Sequence, residues 1–96
     1  MKAYLVLDFS ITDMTGFLRY ARRIPVQIAK HGGRYIVRGE TPTPVEGGWT
    51  PAHMVILEFP SHENAEAFLN DPASQDLFKI RHETTVSRLV LADGCD

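Results

Sequence analysis

The stretch "AKHGGRYIVRG", residues 29–39, joins a helical pattern to a strand pattern through two glycines. Before it, apolar residues recur at steps of three and four, the spacing of one helix face. They are Phe17, Tyr20, Ala21, Ile24 and Ile28. Gly32 supplies the left-handed residue that commonly ends a helix, and Gly33 lets the chain reverse. The sequence therefore predicts a helix over about residues 13–31 and a strand over 34–39.

The rest of the chain completes a familiar order of elements. Residues 3–9, 53–59 and 87–92 have the alternation and composition of strands, and a loop rich in proline and glycine covers residues 40–52. Ser61 is a suitable N-cap for a second helical region. Asp71 followed by Pro72 predicts a break and a fresh N-cap in that region, which continues to about Glu83.

The order β-α-β-β-α-β is that of the α+β, ferredoxin-like fold. In this fold a four-stranded antiparallel sheet carries both helices on one face. Its length suits a single small hydrophobic core. We expect residues 1–96 to form one such domain.

Composition and charge argue against several classes of function. The chain is 44% apolar and 23% charged, and its net charge of −2 gives a polyanion such as nucleic acid no special attraction. The third strand also lacks the exposed aromatics of RNA-recognition modules. The only cysteine, Cys95, excludes an internal disulfide, and the apolar run before Asp8 is too short for a signal or a membrane span. We expect a cytoplasmic protein with no nucleic-acid or membrane partner.

Metal and cofactor motifs are missing from the sequence. His53, His62 and His82 form no ligand pair at a recognised metal spacing, and His62 with Glu66 supplies only two groups. The sequence holds no GxSxG, P-loop or GxGxxG motif. It therefore predicts no metal and no cofactor.

One face of the predicted sheet is partly apolar although no helix covers it. The helices are expected to cover Leu5, Leu7, Val37, Val55, Leu57, Leu89 and Leu91. The opposite side, here called the open face, then carries Tyr4, Val6, Asp8, Arg34, Ile36, Arg38, Met54, Ile56, Glu58, Arg88 and Val90. Its band of Val, Ile and Met would form a sizeable exposed patch on a monomer. We therefore expect a second copy to pack sheet to sheet, closing a dimeric α/β barrel.

Several segments also resemble a known family. They are "YARRIPVQIAKHGGRYIVRG" (20–39), "VEGGW" (45–49), "VILEFPS" (55–61) and "SRLVLADG" (87–94), with Ala65, Phe68, Pro72 and Arg81 between them. Together they resemble domain-of-unknown-function family thirteen-thirty of the dimeric α/β-barrel superfamily, over nearly the whole chain. The resemblance implies a ferredoxin-like homodimer closed through its sheets, and it supplies no reaction.

Related families of the superfamily suggest where a ligand would bind. They include cofactor-independent monooxygenases of aromatic polyketides and muconolactone isomerases, in which a cleft between helices and sheet takes a small hydrophobic substrate. This is an analogy of fold alone. Where the family often has Trp and Tyr, this chain has Phe68 and Leu69, which implies a less polar pocket.

Three polar residues are candidates for ligand binding in such a cleft: Tyr20, His31 and Arg81. The Tyr20 hydroxyl either reaches the cleft or is satisfied within the core. His31 suits proton transfer near neutral pH, and equally suits the place of a cation at a helix C-terminus. Arg81 also lies near the end of a helical region, and the family resemblance adds weight to a role in the cleft.

Six residues are candidates for the interface or the rim of the cleft: Asp8, Arg34, Arg38, Trp49, Glu58 and Arg88. Arg34 and Arg38 either hold a carboxylate or phosphate of a ligand, or form salt bridges with acids such as Glu58. The register across the loop of residues 40–52 decides between these pairs, and the sequence leaves it open. Trp49 either closes over the cleft or packs on a partner subunit.

Two functions therefore remain open. The first is a homodimer whose cleft binds a small hydrophobic or aromatic acid, with turnover like that of a cofactor-independent monooxygenase or an isomerase. The second is a non-catalytic dimer whose charged sheet face serves assembly or protein interaction. Ligand-dependent thermal stabilisation that Arg81→Ala abolishes would favour the first.

Overall fold

Four strands and three helices follow one another over residues 1–95, the part of the chain that the computed structural model describes. The strands are β1 (Ala3–Ile11), β2 (Arg34–Glu40), β3 (His53–Phe59) and β4 (Thr85–Asp93), and the helices are α1 (Met14–Lys30), α2 (His62–Asn70) and α3 (Pro72–Thr84). The order confirms the predicted ferredoxin-like fold, with the second helical region divided in two. The predicted domain limit at residue 96 lies outside the described residues.

The strands form one antiparallel sheet in the order β2-β3-β1-β4. Leu5 of β1 lies opposite Leu57 of β3 and Leu91 of β4, so one row of leucines crosses three strands. This side of the sheet packs against Ile24 and Ile28 of α1. The core therefore lies between the sheet and the helices, as the alternation predicted.

Helix α1 begins and ends at the predicted residues. The Asp13 carboxylate accepts a hydrogen bond from the Gly16 amide at 3.2 Å, which caps the first turn. At the other end, the Gly33 amide donates to the Ile28 carbonyl at 2.9 Å, and the Gly32 amide to the carbonyl one residue further on. Gly32 has a φ of 78°, the left-handed conformation of a Schellman cap. A Cβ at Gly33 would lie 2.5 Å from the Phe59 ring, so the turn also needs a residue without a side chain there.

Helices α2 and α3 are separated by one capping residue. Ser61 Oγ accepts from the Asn64 amide at 3.1 Å at the start of α2. Asp71 Oδ1 accepts from the Ala73 amide at 2.9 Å, and Pro72 occupies the first turn of α3, where its missing N–H is not needed. The predicted break at Asp71 is confirmed.

Strand β2 departs from simple alternation, and this overturns one prediction. Val37 lies opposite Ile56 of the open face, and Arg38 lies opposite Val55 of the helix-facing side. Two register irregularities, the second at Gly39, each insert an extra residue into β2. The prediction that Val37 faces the helices and Arg38 the open face is therefore wrong, because a bulge shifts every later side chain to the other face.

Within residues 1–95, no helix combines the length and the apolar character needed to cross a bilayer.

Candidate functional site

A cavity of about 300 Å³ lies between the helices and the helix-facing side of the sheet. This volume is at the lower end of the range for small-molecule sites. Its walls are mostly aliphatic and aromatic side chains. They include Leu5, Leu7, Phe9, Ile11, Met14, Phe17, Ile24, Ile28, Val55, Leu57, Phe68, Phe78 and Leu89.

Five polar side chains interrupt this apolar wall: Tyr20, Tyr35, Arg38, His53 and Arg81. The structure thus brings together two of the three predicted ligand residues, Tyr20 and Arg81. It adds Tyr35 and His53, which the sequence did not single out as ligand residues, and Arg38, which was assigned to the open face. His53 shares the face of Val55 and Leu57 by simple alternation, a signal that could have found it.

The guanidinium of Arg81 is buried at the wall of this cavity. Arg81 is only 5% exposed. Its Nη1 donates to the Tyr20 hydroxyl at 3.4 Å, its Nη2 donates to His82 Nε2 at 3.3 Å, and its Nε has no partner. The guanidinium carbon also lies 4.9 Å from the centre of the Phe78 ring.

Arg81 has no acidic partner within the described part of the chain. No carboxylate of residues 1–95 forms a salt bridge with it. Burying a cation without a counter-ion is costly, because water no longer solvates it. The wall of the cavity therefore carries a positive charge that the described residues do not neutralise.

Tyr35 and Arg38 form a second polar pair in the cavity. The guanidinium carbon of Arg38 lies 4.3 Å from the centre of the Tyr35 ring, a cation–π contact. Burial raises the pKa of the Tyr35 hydroxyl, and repulsion from Tyr20 raises it further, while Arg38 lowers it. Tyr35 therefore stays a neutral hydroxyl at physiological pH and can donate a hydrogen bond into the cavity.

His53 is fixed in the cavity wall by two contacts. Its ring stacks on Phe9 with the centroids 5.3 Å apart and the planes at 27°. Its Nδ1 lies 3.1 Å from the carbonyl oxygen of Gly39, the residue of the second bulge in β2. The second bulge thus positions His53, whereas the first, between Tyr35 and Val37, turns Arg38 toward the cavity.

His31, the third predicted ligand residue, is not part of the cavity lining. Its Nε2 donates to Asp71 Oδ2 at 2.9 Å, and its carbonyl accepts from the Asn64 side chain at 3.1 Å. Lys30 donates to the same Asp71 oxygen at 2.9 Å. The Lys30 ammonium, with His31 and the Ala73 amide, holds the pKa of the Asp71 carboxyl far below its usual range. The placement of His31 with Tyr20 and Arg81 is thus corrected, because His31 connects α1 to the start of α3.

Charged residues of the open face pair across neighbouring strands. Arg34 Nε donates to Glu58 Oε1 at 3.0 Å, and Lys2 lies 3.3 Å from the same oxygen. The Arg34 hydrogen bond is the main reason that the pKa of Glu58 is lowered. Arg88 Nη2 donates to Asp8 Oδ2 at 3.0 Å. Of the alternatives for Arg34, the contacts within the chain are those of a salt bridge with Glu58.

Apolar side chains remain exposed between these ion pairs. Val86 is 66% exposed and Val90 is 61% exposed. Trp49, 51% exposed, lines a groove with Val86 and Val90 at the open face and does not line the internal cavity.

His62 lies between two carboxylates on the surface. Its Nδ1 donates to Asp93 Oδ1 at 2.8 Å and its Nε2 contacts the Glu66 carboxylate. These two acids, Asp93 first, raise the pKa of His62. Among residues 1–95, no group of three or more His, Cys, Asp or Glu side chains is arranged to hold a metal ion.

A model of one protein family matches almost the whole chain. The family is described as "Domain of unknown function (DUF1330)", and the match covers residues 2–95. A comparison with curated proteins gives no match.

Solved structures with the same fold include proteins with and without a described activity. A protein of unknown function from Rhodopseudomonas palustris has a TM-score of 0.80 at 17% identity, over 99% of this chain and 83% of that one. SnoaB, a cofactor-independent oxygenase from Streptomyces nogalater, has a TM-score of 0.70 at 16% identity, over 99% and 94%. A dimeric protein of unknown function with a ferredoxin-like fold from Bacteroides fragilis has a TM-score of 0.57 at 17% identity, over 97% and 96%. At these identities the likeness shows the fold alone.

Proposed function

The chain belongs to the DUF1330 family, whose description assigns no activity, and we propose that the protein binds a small hydrophobic or aromatic acid in the cavity between its helices and its sheet. The carrying observation is the buried Arg81 guanidinium, which has no carboxylate partner among residues 1–95 and has an unpartnered Nε. A carboxylate in the cavity would supply the missing negative charge. Charge-assisted hydrogen bonds of this kind are among the stronger ones in proteins.

The remaining wall suits the apolar part of such a ligand. Phe9, Phe17, Phe68 and Phe78 line the cavity together with aliphatic side chains. Aromatic side chains favour offset or edge contacts with another ring. The Tyr35 hydroxyl offers a further hydrogen-bond donor. Together these features support an aromatic acid over an aliphatic one.

We extend the proposal to turnover without a cofactor, by an oxygenase- or isomerase-like reaction. Its support is the fold shared with SnoaB, which is described as a cofactor-independent oxygenase. Fold likeness carries little weight for a reaction by itself. Ligand binding is accordingly the first property to test.

The test is thermal unfolding of the protein against a panel of small aromatic acids and their methyl esters. A ligand at about 100 times its Kd adds about 2.7 kcal/mol to stability. Each kcal/mol raises Tm by about 4–8 °C in a domain of this size. We expect at least one acid to raise Tm while its uncharged ester does not. A flat response to every acid in the panel would contradict the proposal.

The variant Arg81→Met tests the role of Arg81 in ligand binding independently of its effect on folding stability. The methionine has a similar length and no charge, so it removes an uncompensated buried cation, and we expect Tm of the free protein to stay level or rise. The same variant should lose about 10- to 100-fold in affinity for the acid, the usual worth of a hydrogen bond to a charged group. Arg22→Met is the matched control, since Arg22 is exposed on α1, away from the open face, and absent from the cavity lining.

We also propose that the protein forms a homodimer in which a second copy of the chain covers the open face. The supporting observation is the exposure of Val86 and Val90 on a sheet face that no helix covers. One structural neighbour is described as dimeric. The two proposals are compatible, because the cavity and the open face lie on opposite sides of the sheet.

A further inference from the structure

The hydrogen bond of His53 determines which of its nitrogens carries the proton in the neutral ring. Nδ1 lies 3.1 Å from the Gly39 carbonyl oxygen. A carbonyl oxygen only accepts hydrogen bonds, so Nδ1 must be the donor. In the neutral imidazole the other nitrogen, Nε2, then holds the lone pair.

Nε2 is the free end of this side chain. Among the hydrogen bonds and salt bridges formed within residues 1–95, none involves His53 Nε2. The side chain is held by Phe9 on one face and by Gly39 at Nδ1, and it lines the cavity with Arg38 and Arg81. The rotation of the ring is therefore restricted while its basic nitrogen stays available.

His53 differs in chemistry from every other described side chain in the cavity wall. The other titratable or charged groups there are Tyr20, Tyr35, Arg38 and Arg81, and no Asp or Glu of residues 1–95 lines the cavity. The two arginines are cations, and the pKa of Tyr35 is raised, so it remains protonated. Of the described lining residues, only an imidazole accepts a proton near neutral pH.

We infer that His53 Nε2 is the proton acceptor of this cavity and that the ligand is an aromatic acid which also carries an ionisable hydroxyl group. This inference rests on the proposed function, since the carboxylate of the same ligand binds at Arg81. In the step, the O–H bond of the ligand breaks, an Nε2–H bond forms, and the electron pair stays on the ligand oxygen. The imidazolium and the two arginines then stabilise the aryloxide.

The tautomer of His53 tests the inference without any ligand. A long-range proton–nitrogen correlation spectrum of the ¹⁵N-labelled protein, recorded at a pH where the imidazoles are neutral, distinguishes protonated from unprotonated ring nitrogens. The His53→Asn spectrum assigns the signal. We expect a protonated Nδ1 and an unprotonated Nε2. A ring protonated at Nε2 would overturn the inference.

Proton transfer is tested with a coloured probe, 4-hydroxy-3-nitrobenzoate, whose aryloxide absorbs visible light. The matched variant is His53→Asn, because the asparagine amide nitrogen takes the place of Nδ1 and keeps a donor to Gly39 while the basic nitrogen is lost. We expect the apparent pKa of the bound phenol to lie about one unit or more higher in His53→Asn than in the wild type. Tm should change little.

The possible results distinguish failure of the inference about His53 from failure of the proposed ligand binding. If the wild type binds the probe in an Arg81-dependent way but the bound phenol titrates alike in His53→Asn, the inference about His53 is overturned and the proposed function stands. If neither this probe nor any acid of the panel binds the wild type, the proposed function is overturned and the inference falls with it. Should His53→Asn fail to fold, the tautomer of the wild type decides, with its signal assigned by substituting His31, His62 and His82 in turn.

Discussion

At the scale of single residues, two charged side chains near the ends of α3 differ in their hydrogen-bonding partners and their burial. Asp71 at its start accepts hydrogen bonds from Lys30, His31 and the Ala73 amide. Arg81, near its end, is buried without an acid among residues 1–95. A charge with three hydrogen-bonding partners stabilises the fold, whereas a buried charge without an acidic partner reduces stability.

Asp71 predicts a specific dependence of stability on pH. Its folded pKa is depressed by Lys30 first and His31 second, so its contribution is present above the unfolded value of about 3.9 and is lost as pH falls from there toward the folded pKa. Asp71→Asn keeps a capping oxygen but removes the charge. We expect it to be less stable than the wild type near neutral pH, with a gap that narrows below about pH 4. Urea unfolding across a pH series measures this.

The control for that series is Asp76→Asn. Asp76 is 79% exposed and lies 3.7 Å from Lys79, an exposed pair of the kind that contributes little. We expect its stability to follow the wild type closely at every pH. A gap for Asp71→Asn that stays constant with pH would show that Asp71 acts through its capping oxygen or its packing instead of its charge.

At the scale of elements, the bulges of β2 link the sheet to the cavity. Gly39 adopts a φ of 79°, a conformation that side-chain-bearing residues rarely adopt. Its carbonyl accepts a hydrogen bond from His53, and the extra residue of the first bulge, between Tyr35 and Val37, reverses the direction of Arg38. A strand without bulges would leave Arg38 on the open face and the cavity with a single arginine at its wall.

Substitution of Gly39 tests this link. A Cβ at Gly39 would meet nothing within 4 Å, so Gly39→Ala adds only backbone strain, about 1 kcal/mol. Gly47→Ala is the matched control, because Gly47 has a φ of 84° and equally open surroundings but lies outside the cavity. We expect similar losses of stability in urea unfolding, and weaker binding of an aromatic acid only for Gly39→Ala. Equal affinities in the two variants would contradict a role for the bulge in binding.

At the scale of the whole molecule, the two sides of the sheet differ in composition. Its helix-facing side encloses the core and the cavity. Its open face combines the pairs Arg34–Glu58 and Arg88–Asp8 with exposed valines. Pairing of the charges within one chain leaves the valines as the available contact for a second copy.

The proposed dimer predicts the effect of one charge on that face. Val90→Glu adds a carboxylate where the wild-type side chain is 61% exposed, so a monomer tolerates it, whereas a sheet-to-sheet interface would bury it. Val26→Glu, at a 69% exposed position of α1, is the control. By analytical ultracentrifugation we expect twice the 10.8 kDa chain mass for the wild type and Val26→Glu, and a monomer for Val90→Glu. A wild-type monomer at all concentrations, or a dimeric Val90→Glu, would exclude this interface.

The limits of the elements and the class of the fold were predictable from the chain alone. Gly32 ends α1, and Asp71 separates α2 from α3, at the predicted positions. Tyr20 and Arg81, two residues predicted to bind a ligand, line the same cavity. These features depend on helical periodicity and on capping bonds between residues a few positions apart, which a sequence displays directly.

The composition of the cavity was decided by the tertiary structure. Arg38 faces the helices because of the first bulge in β2. His53 is held in the wall by a hydrogen bond to a carbonyl of another strand, and His31 instead bonds to Asp71. Each outcome depends on a partner at least 14 residues away in the chain or on one extra residue in a strand. The alternation of apolar and polar residues in a sequence does not reveal a bulge. A single extra residue in a strand moves every later side chain to the opposite face of the sheet.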